Sequence, residues 1–120
     1  MSDTIAAVST GRCVSAIGVI RLSGDEAIAV ADRVFKRKNG VRLADSQPGR
    51  LYLGGLHGYN GELIDVCMCT FSRGPGSYTG EDTAELQCHG SPVVLDEALR
   101  ALFKAGARQA LPGEFTKRAF

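Results

Sequence analysis

The amino-acid sequence predicts an α+β domain of two layers, in which helices cover one face of a mixed or antiparallel β-sheet. Three observations support this fold class. Short apolar runs rich in β-branched residues are typical of buried strands. Two of the extended runs are separated by an Asn-Gly dipeptide, a strong hairpin signal. Two other segments repeat apolar residues at helical spacing. The predicted order is therefore β-β-α-β-β-β-α.

The strands of the first two thirds of the chain follow from local pattern. Residues 4–9 and 16–22 are apolar runs joined by a connection at residues 10–15. Residues 50–58 and 62–71 are extended runs on either side of the Asn-Gly turn, and they predict a β-hairpin.

The first helix has both a start and a stop signal. Ser23 provides a hydroxyl for an N-cap, and Glu26 provides the carboxylate of a capping box three residues later. The basic cluster at residues 36–38 lies where a helix would end, next to the negative end of its dipole, before Asn39-Gly40. Nucleic-acid contact is the minority interpretation of this cluster.

The second half of the chain contains a long irregular segment and the clearest helix. Residues 72–82 are too rich in Gly and Pro for regular structure, and residues 83–88 resume as a strand. Ser91-Pro92 predicts a helix N-terminus, and Gly106 predicts its end. Residues 108–120 offer a short extended piece, a Pro-Gly turn and the beginning of a further helix that we expect to be incomplete.

Size, charge and composition limit the class of protein. The 120 residues, 44% of them apolar, suit one compact domain. The net charge of +1 gives no global attraction to a polyanion or an anionic membrane. We find no apolar stretch of roughly 18 residues and no secretory signal. We therefore expect a cytoplasmic protein without membrane contact, whose Cys13, Cys67, Cys69 and Cys88 are reduced thiols.

The sequence lacks the motifs of several common classes of enzyme and metal site. A Walker A motif is absent, so this domain by itself is not a GTPase, and common hydrolase motifs are absent as well. Cys67, Cys69, Cys88 and His89 could supply soft metal ligands, but their spacing is unlike that of a zinc knuckle and buried thiols in strands are ordinary core residues. We predict neither catalytic nor metal-binding residues. His89 is interpreted as a satisfied polar residue at a strand-to-helix corner, with a site role as the alternative.

Two charged residues are candidates for binding a ligand. Residues 74–85 combine flexible backbone, hydroxyl groups, an aromatic ring and three carboxylates, and such loops often build pockets. Alternation along the following strand places Glu85 on the same face as Thr83 and Gln87. The simpler interpretation of Glu85 is a solvated carboxylate, and that of Arg21 is a surface charge at a strand edge. The functional alternative for Arg21 is a clamp for an anion or a carbonyl.

Four motifs together resemble the amino-terminal domain of tRNA-modification GTPases of the MnmE (TrmE) family. They occur in the family's order and at similar spacing, and the resemblance extends over residues 1–120. The motifs are IGVIRLSG at residues 17–24, SYTGED at 77–82, ELQCHG at 85–90 and PGEFTKRAF at 112–120.

The resemblance implies a fold, a cofactor and partners. The fold would be related to tetrahydrofolate-binding domains of the glycine-cleavage T-protein kind, and the domain would form a homodimer. It would bind 5,10-methylene- or 5-formyl-tetrahydrofolate, the carbon donor for a carboxymethylaminomethyl-type group at C5 of the wobble uridine in tRNA. The reaction would also need the flavoprotein MnmG (GidA) and the GTPase and helical domains, with their GTP, Mg and K. Those two domains are absent from the 120 residues, so this chain alone would not be catalytic.

The family's folate contacts fall on Arg21 and Glu85, with a further lysine expected a few residues beyond Phe120. A pterin presents an amino group and a ring N–H side by side, which the Glu85 carboxylate could accept, while Arg21 could bind a carbonyl or the glutamyl tail. Residues 11–16 differ from the Pro-Pro-Gly-Arg-Gly-Gly typical of the family. Two alternatives remain: an interaction module that binds no folate, and a zinc-dependent nucleic-acid binder.

Overall fold

A mixed β-sheet forms the body of the molecule in the computed structural model, which describes residues 3–9 and 16–120. Within those residues the strands are β1 (Ile5–Val8), β2 (Ile17–Ser23), β3 (Phe35–Arg37), β4 (Tyr52–His57), β5 (Leu63–Ser72), β6 (Thr83–His89) and β7 (Arg108–Gln109). Their order across the sheet is β3-β4-β5-β6-β2-β1-β7. The β1–β7 pair is parallel and the other neighbouring pairs are antiparallel. The predicted connection at 10–15 and the predicted free thiol of Cys13 lie outside the described residues.

The helices are α1 (Ala27–Val34), α2 (Pro92–Lys104) and α3 (Glu114–Ala119), with a 3-10 turn at Leu43–Asp45. The buried sides of α1 and α2 join alternate strand residues in one hydrophobic cluster. In contrast, α3 has no buried residue. None of the helices in the described part of the chain has the length and hydrophobicity to span a bilayer. The prediction of an α+β domain with a mixed sheet is confirmed.

Alternation along the strands divides the sheet into two faces. On β2 and β6, Ile20, Leu22, Ala84 and Leu86 are at most 1% exposed and belong to the cluster with α1 and α2. We call this side the covered face. The intervening residues point the other way, because successive side chains of a strand alternate. We call that side the open face, and it carries the following residues: Ile17, Val19, Arg21, Leu53, Val66, Met68, Thr70, Ser72, Thr83, Glu85 and Gln87.

The hairpin and α2 form where local signals predict them. Strands β4 and β5 pair antiparallel, and Gly61 in the connecting turn has a φ of +83° that glycine adopts without strain. Pro92 begins α2, whose last residue is Lys104, and Gly106 follows with a φ of +125°. The chain thus leaves this helix through a backbone conformation that favours glycine.

The predicted capping box at Ser23 is wrong. Ser23 is the last residue of β2, and Glu26 is the N-cap of α1 with no side-chain capping bond. The Ser23 hydroxyl instead lies 2.6 Å from that of Thr79 and donates to Glu81 at 3.0 Å. Pairing with both β1 and β6 keeps Ser23 extended. The hydroxyl of Thr4 accepts the Glu26 amide, so a residue distant in sequence satisfies this helix end.

The basic cluster at residues 36–38 does not end the helix as predicted. Helix α1 stops at Val34, and Phe35–Arg37 form an edge strand paired with β4. Where the backbone changes from helix to strand, Phe35 is buried and only 2% exposed. A basic side chain does interact with the end of the helix, because the Lys36 ammonium donates to the Asp32 carbonyl in the last turn of α1.

Candidate functional site

Arg21 and Glu85 face each other on neighbouring strands of the open face. They are a registered pair of the antiparallel β2–β6 ladder. The Arg21 Nη2 and Nε groups both donate to Glu85 Oε1, at 2.7 and 3.0 Å. Because β2 lies between β6 and β1, Arg21 is not at a sheet edge, and the interpretation of it as a strand-edge charge is wrong. Glu85, with a side chain 27% exposed, is a paired carboxylate rather than a fully solvated one.

A cavity of about 310 Å³ opens beside this ion pair. Strand β5 supplies its floor through Thr70 and Ser72, and the loop before β6 supplies Tyr78. The guanidinium carbon of Arg21 lies 6.0 Å from the centre of the Tyr78 ring. A charged pair, hydroxyl groups and an aromatic ring thus surround one concavity, a combination suited to a polar planar ligand.

The loop at residues 73–82 is held by its own polar groups. The Asp82 side chain accepts the Gly74 amide at 3.0 Å, and its backbone carbonyl accepts the Gly24 amide. The Ser77 hydroxyl donates to the Glu81 carbonyl. The expectation that this loop helps to build a pocket is confirmed by Tyr78, which lines the cavity.

A charged network joins α3 to this loop. Arg118 contacts Asp3, Glu81 and Glu114 at 2.9, 3.0 and 3.2 Å, and Arg108 contacts Asp3 and Glu114. Hydrogen bonding from Arg108 lowers the pKa of Asp3 and, with help from the Leu111 amide, lowers the pKa of Glu114 to about 2. The same carboxylates raise the pKa of Arg108. These groups therefore remain charged at neutral pH.

Sequence reasoning missed several of the residues around the cavity. No local signal marks Thr70 or Ser72 in the cavity or Arg118 in the network behind it, the context of Ser23 is that of a helix cap, and Tyr78 is simply an aromatic ring in a loop. Alternation along β5 does place Thr70 and Ser72 on one face. Only the pairing of β5 with β6, however, puts Thr70 opposite Glu85.

The buried cysteines and His89 do not line this cavity. Cys67, Cys69 and Cys88 are buried free thiols on the covered face. A hydrogen bond with Cys88, together with burial, raises the pKa of Cys67, and burial raises the pKa of Cys69. His89 Nδ1 lies 2.7 Å from Asp65, which confirms the prediction of a satisfied corner residue. Over residues 3–9 and 16–120, no cluster of three His, Cys, Asp or Glu side chains is placed to hold a metal ion.

Comparison with known proteins places this chain in a family. The family model described as "GTP-binding protein TrmE N-terminus" matches residues 4–120. Proteins named tRNA modification GTPase MnmE are similar to it: the one from Symbiobacterium thermophilum is 43% identical over 98% of this chain, and the one from Syntrophus aciditrophicus is 44% identical over 100% of this chain. The relative from Bacteroides fragilis is 46% identical over 98% of the chain.

These relatives are much longer than the chain. The 120 residues cover 26%, 26% and 25% of the lengths of these three proteins. The match to the family model nevertheless extends over almost all of this chain. The chain therefore belongs to the TrmE amino-terminal domain family, the domain found in tRNA modification GTPases named MnmE.

Proposed function

We propose that this chain is the folate-binding and homodimerisation domain of a tRNA-modification GTPase. The observation that carries the proposal is that Arg21 and Glu85, 64 residues apart, meet at one cavity of the open face. The family resemblance assigns its folate contacts to the same two residues. The ligand would be 5,10-methylene- or 5-formyl-tetrahydrofolate.

The chemistry of the cavity suits a pterin. A carboxylate has about four lone-pair sites, so Glu85 can bind the pterin amino group and ring N–H while it remains paired with Arg21. The Arg21 Nη1 group takes no part in that ion pair and can donate to a ligand carbonyl or to the glutamyl tail. Tyr78 offers an aromatic surface for stacking. The volume of about 310 Å³ is at the small end of ligand sites, which suits the bicyclic head of the cofactor.

The fold supports a relationship to tetrahydrofolate-binding domains of the T-protein kind. A mixed sheet with two helices on one side leaves the other side available for a ligand. Arg21 and Glu85 both lie on that available side, in interior strands where the backbone is fixed by ladders on both flanks. Such strands hold a binding residue more rigidly than a loop would.

Homodimerisation is supported by apolar side chains on the open face. Ile17, Leu53 and Val66 are 56%, 47% and 47% exposed, and they line one shallow depression of about 170 Å³. Grouped exposed apolar residues on a sheet favour association with another surface. We propose a second copy of this domain as the occupant.

The remaining roles belong to the longer protein. We propose that the domain itself is not catalytic and that it supplies a one-carbon unit for modification of C5 of the wobble uridine in cytoplasmic tRNA. The GTPase and helical domains and the flavoprotein MnmG (GidA) would provide the rest. Relatives named as tRNA modification GTPases support this assignment.

Calorimetry with 5-formyl-tetrahydrofolate tests the binding proposal on the full-length protein, for which the family resemblance predicts a further lysine after Phe120. Glu85→Ala should weaken binding by about 1–3 kcal/mol, the cost of losing hydrogen bonds to a charged group. Gln87→Ala, two residues away on the same face, is the matched control and should change affinity little. No heat with the wild-type protein would overturn folate binding. A dimer that persists without binding would favour the interaction module instead.

A further inference from the structure

Arg118 connects four parts of the molecule that are distant in sequence. Its Nη1 group donates to the Asp3 carbonyl at 2.9 Å, the Ser23 carbonyl at 3.3 Å and Glu81 Oε1 at 3.0 Å. Its Nη2 group donates to Asp3 Oδ1 and to Glu114 Oε2, at 2.9 and 3.2 Å. The Arg118 guanidinium, in a side chain only 14% exposed, therefore connects α3 to Asp3 ahead of β1, to the end of β2 and to the loop at 73–82.

A short chain of hydrogen bonds leads from Arg118 to the cavity. Glu81 Oε1 accepts Arg118 and also the Ser23 hydroxyl, at 3.0 Å in each case. The Ser23 hydroxyl lies 2.6 Å from that of Thr79. Ser23 is 0% and Thr79 is 5% exposed, so water does not readily replace these partners. The next residue along the loop is Tyr78, whose ring lies beside Arg21.

Besides the polar contacts among its own residues, the Arg118 contact from outside helps to fix this loop. It contains three glycines, and Tyr78 is 56% exposed, so core packing does not hold the ring in place. Buried hydroxyls and a largely buried carboxylate cost free energy unless they keep their partners. Arg118 supplies a positive charge to Glu81, which has a side chain only 18% exposed.

We infer that Arg118 is a positioning residue for the cavity beside Arg21 and Glu85. It acts through Glu81 and the buried Ser23–Thr79 contact to hold Tyr78 at the cavity wall, and it does not itself line that cavity. Its effect on a ligand rests on the proposed folate site, but its effect on the loop does not. The sequence offers a matched control in Lys117, an exposed cation on the same helix without a side-chain role in this network.

The experiment compares Arg118→Gln with Lys117→Gln in the full-length protein, by two measurements. The first is the affinity for 5-formyl-tetrahydrofolate. Arg118→Gln should weaken it by about tenfold, within the range expected when a charged hydrogen bond is lost, whereas Lys117→Gln should stay within about twofold. Arg118→Lys, which keeps the charge, should recover part of the loss.

Coupling to Tyr78 separates positioning from general stability. In a Tyr78→Ala background, Arg118→Gln should weaken binding much less than in the wild-type background, since the ring it holds is gone. Equal effects in both backgrounds would contradict the inference. If Arg118→Gln does not fold, Glu81→Gln replaces it in the same cycle, because that change weakens the same contact from the loop side.

The second measurement uses no ligand. Amide hydrogen exchange at residues 76–82 should be faster in Arg118→Gln than in the wild type, and unchanged in Lys117→Gln. Failure of the wild-type protein to bind folate would overturn the proposed function while leaving this comparison intact. Equal exchange of the loop in all three proteins would overturn the positioning role.

Discussion

The two faces of the sheet are built from the same strands but have opposite environments. On the covered face Ile20 and Leu86 are completely buried against the helices. On the open face Arg21 and Glu85, each only one residue away in its strand, are 37% and 27% exposed. In both β2 and β6 the even-numbered residues Ile20 and Leu86 lie in the core, and the odd-numbered residues Arg21 and Glu85 lie on the open face. The reason is that alternate side chains of a strand point in opposite directions.

Because the two faces differ in this way, stability and ligand binding can be changed separately in this domain. Removing apolar volume from the covered face leaves a cavity among close-packed atoms. Changing a side chain on the open face leaves the core intact and alters what the domain can bind. A third region, α3, follows neither pattern, since it is attached by ion pairs and has no buried residue.

The largest expected effect is on the covered face. Leu86→Ala should lower the free energy of unfolding by about 2–5 kcal/mol, because a fully buried side chain loses its contacts and leaves a cavity. Urea unfolding followed by circular dichroism measures the change. Gln87→Ala, the next residue but on the open face, should stay within about 0.5 kcal/mol. Similar losses for both variants would contradict the difference in environment between the two faces.

An intermediate effect is expected from the apolar part of the open face. Leu53→Glu should weaken the proposed homodimer by at least about tenfold, or about 1.4 kcal/mol, because a symmetric interface would bury the new charge twice. Analytical ultracentrifugation measures the dissociation constant. Val93→Glu is the control, since Val93 is also exposed but lies on α2 in the helix layer. A dimer insensitive to Leu53→Glu would place the contact elsewhere.

A smaller effect is expected from acid at α3. The native pKa of Glu114 is about 2, below its ordinary value of 4.5, so the native state favours the charged form. This contribution to stability is complete above about pH 4.5 and is lost as the pH falls toward 2. The difference in melting temperature between the wild type and Glu114→Gln should therefore shrink over that window. A difference that does not vary between pH 7 and 2 would contradict the ion-pair account of α3.

The smallest effect is expected for the reaction of the covered-face thiols with an alkylating reagent. The raised pKa values of Cys67 and Cys69 keep both thiols protonated at pH 8, and burial excludes reagent. Iodoacetamide should therefore leave peptides containing these residues unlabelled in the native protein and label them in urea. Mass spectrometry of the two digests measures this. Rapid native labelling at Cys69 would show that the covered face opens.

Local sequence signals predicted the elements whose causes are local. The hairpin follows from Asn60-Gly61, and α2 follows from Pro92, a periodic apolar face and Gly106. The signals failed where a distant partner competes. Ser23 has the sequence context of a helix cap, yet its strand pairs on both sides and its hydroxyl is bound by Thr79 instead.

The candidate site shows the same division. Motifs predicted that Arg21 and Glu85 belong to a site, and alternation predicted that Glu85 shares a face of its strand with Thr83 and Gln87. The 2.7 Å contact between them depends on the β2–β6 register, which no local feature of either strand specifies. The contribution of Thr70 and the network of Arg118 also arise only when distant elements pair.

From the sequence alone come the family, the fold class and the face of β6 that Glu85 shares with Thr83 and Gln87, because these depend on residue type and on periodicities of a few residues. The tertiary structure decided the order β3-β4-β5-β6-β2-β1-β7, and with it the meeting of residue 21 with residue 85 and of residue 81 with residue 118. Such meetings depend on long-range pairing, which is selected by burial of the whole covered face against α1 and α2 rather than by any short segment of the chain.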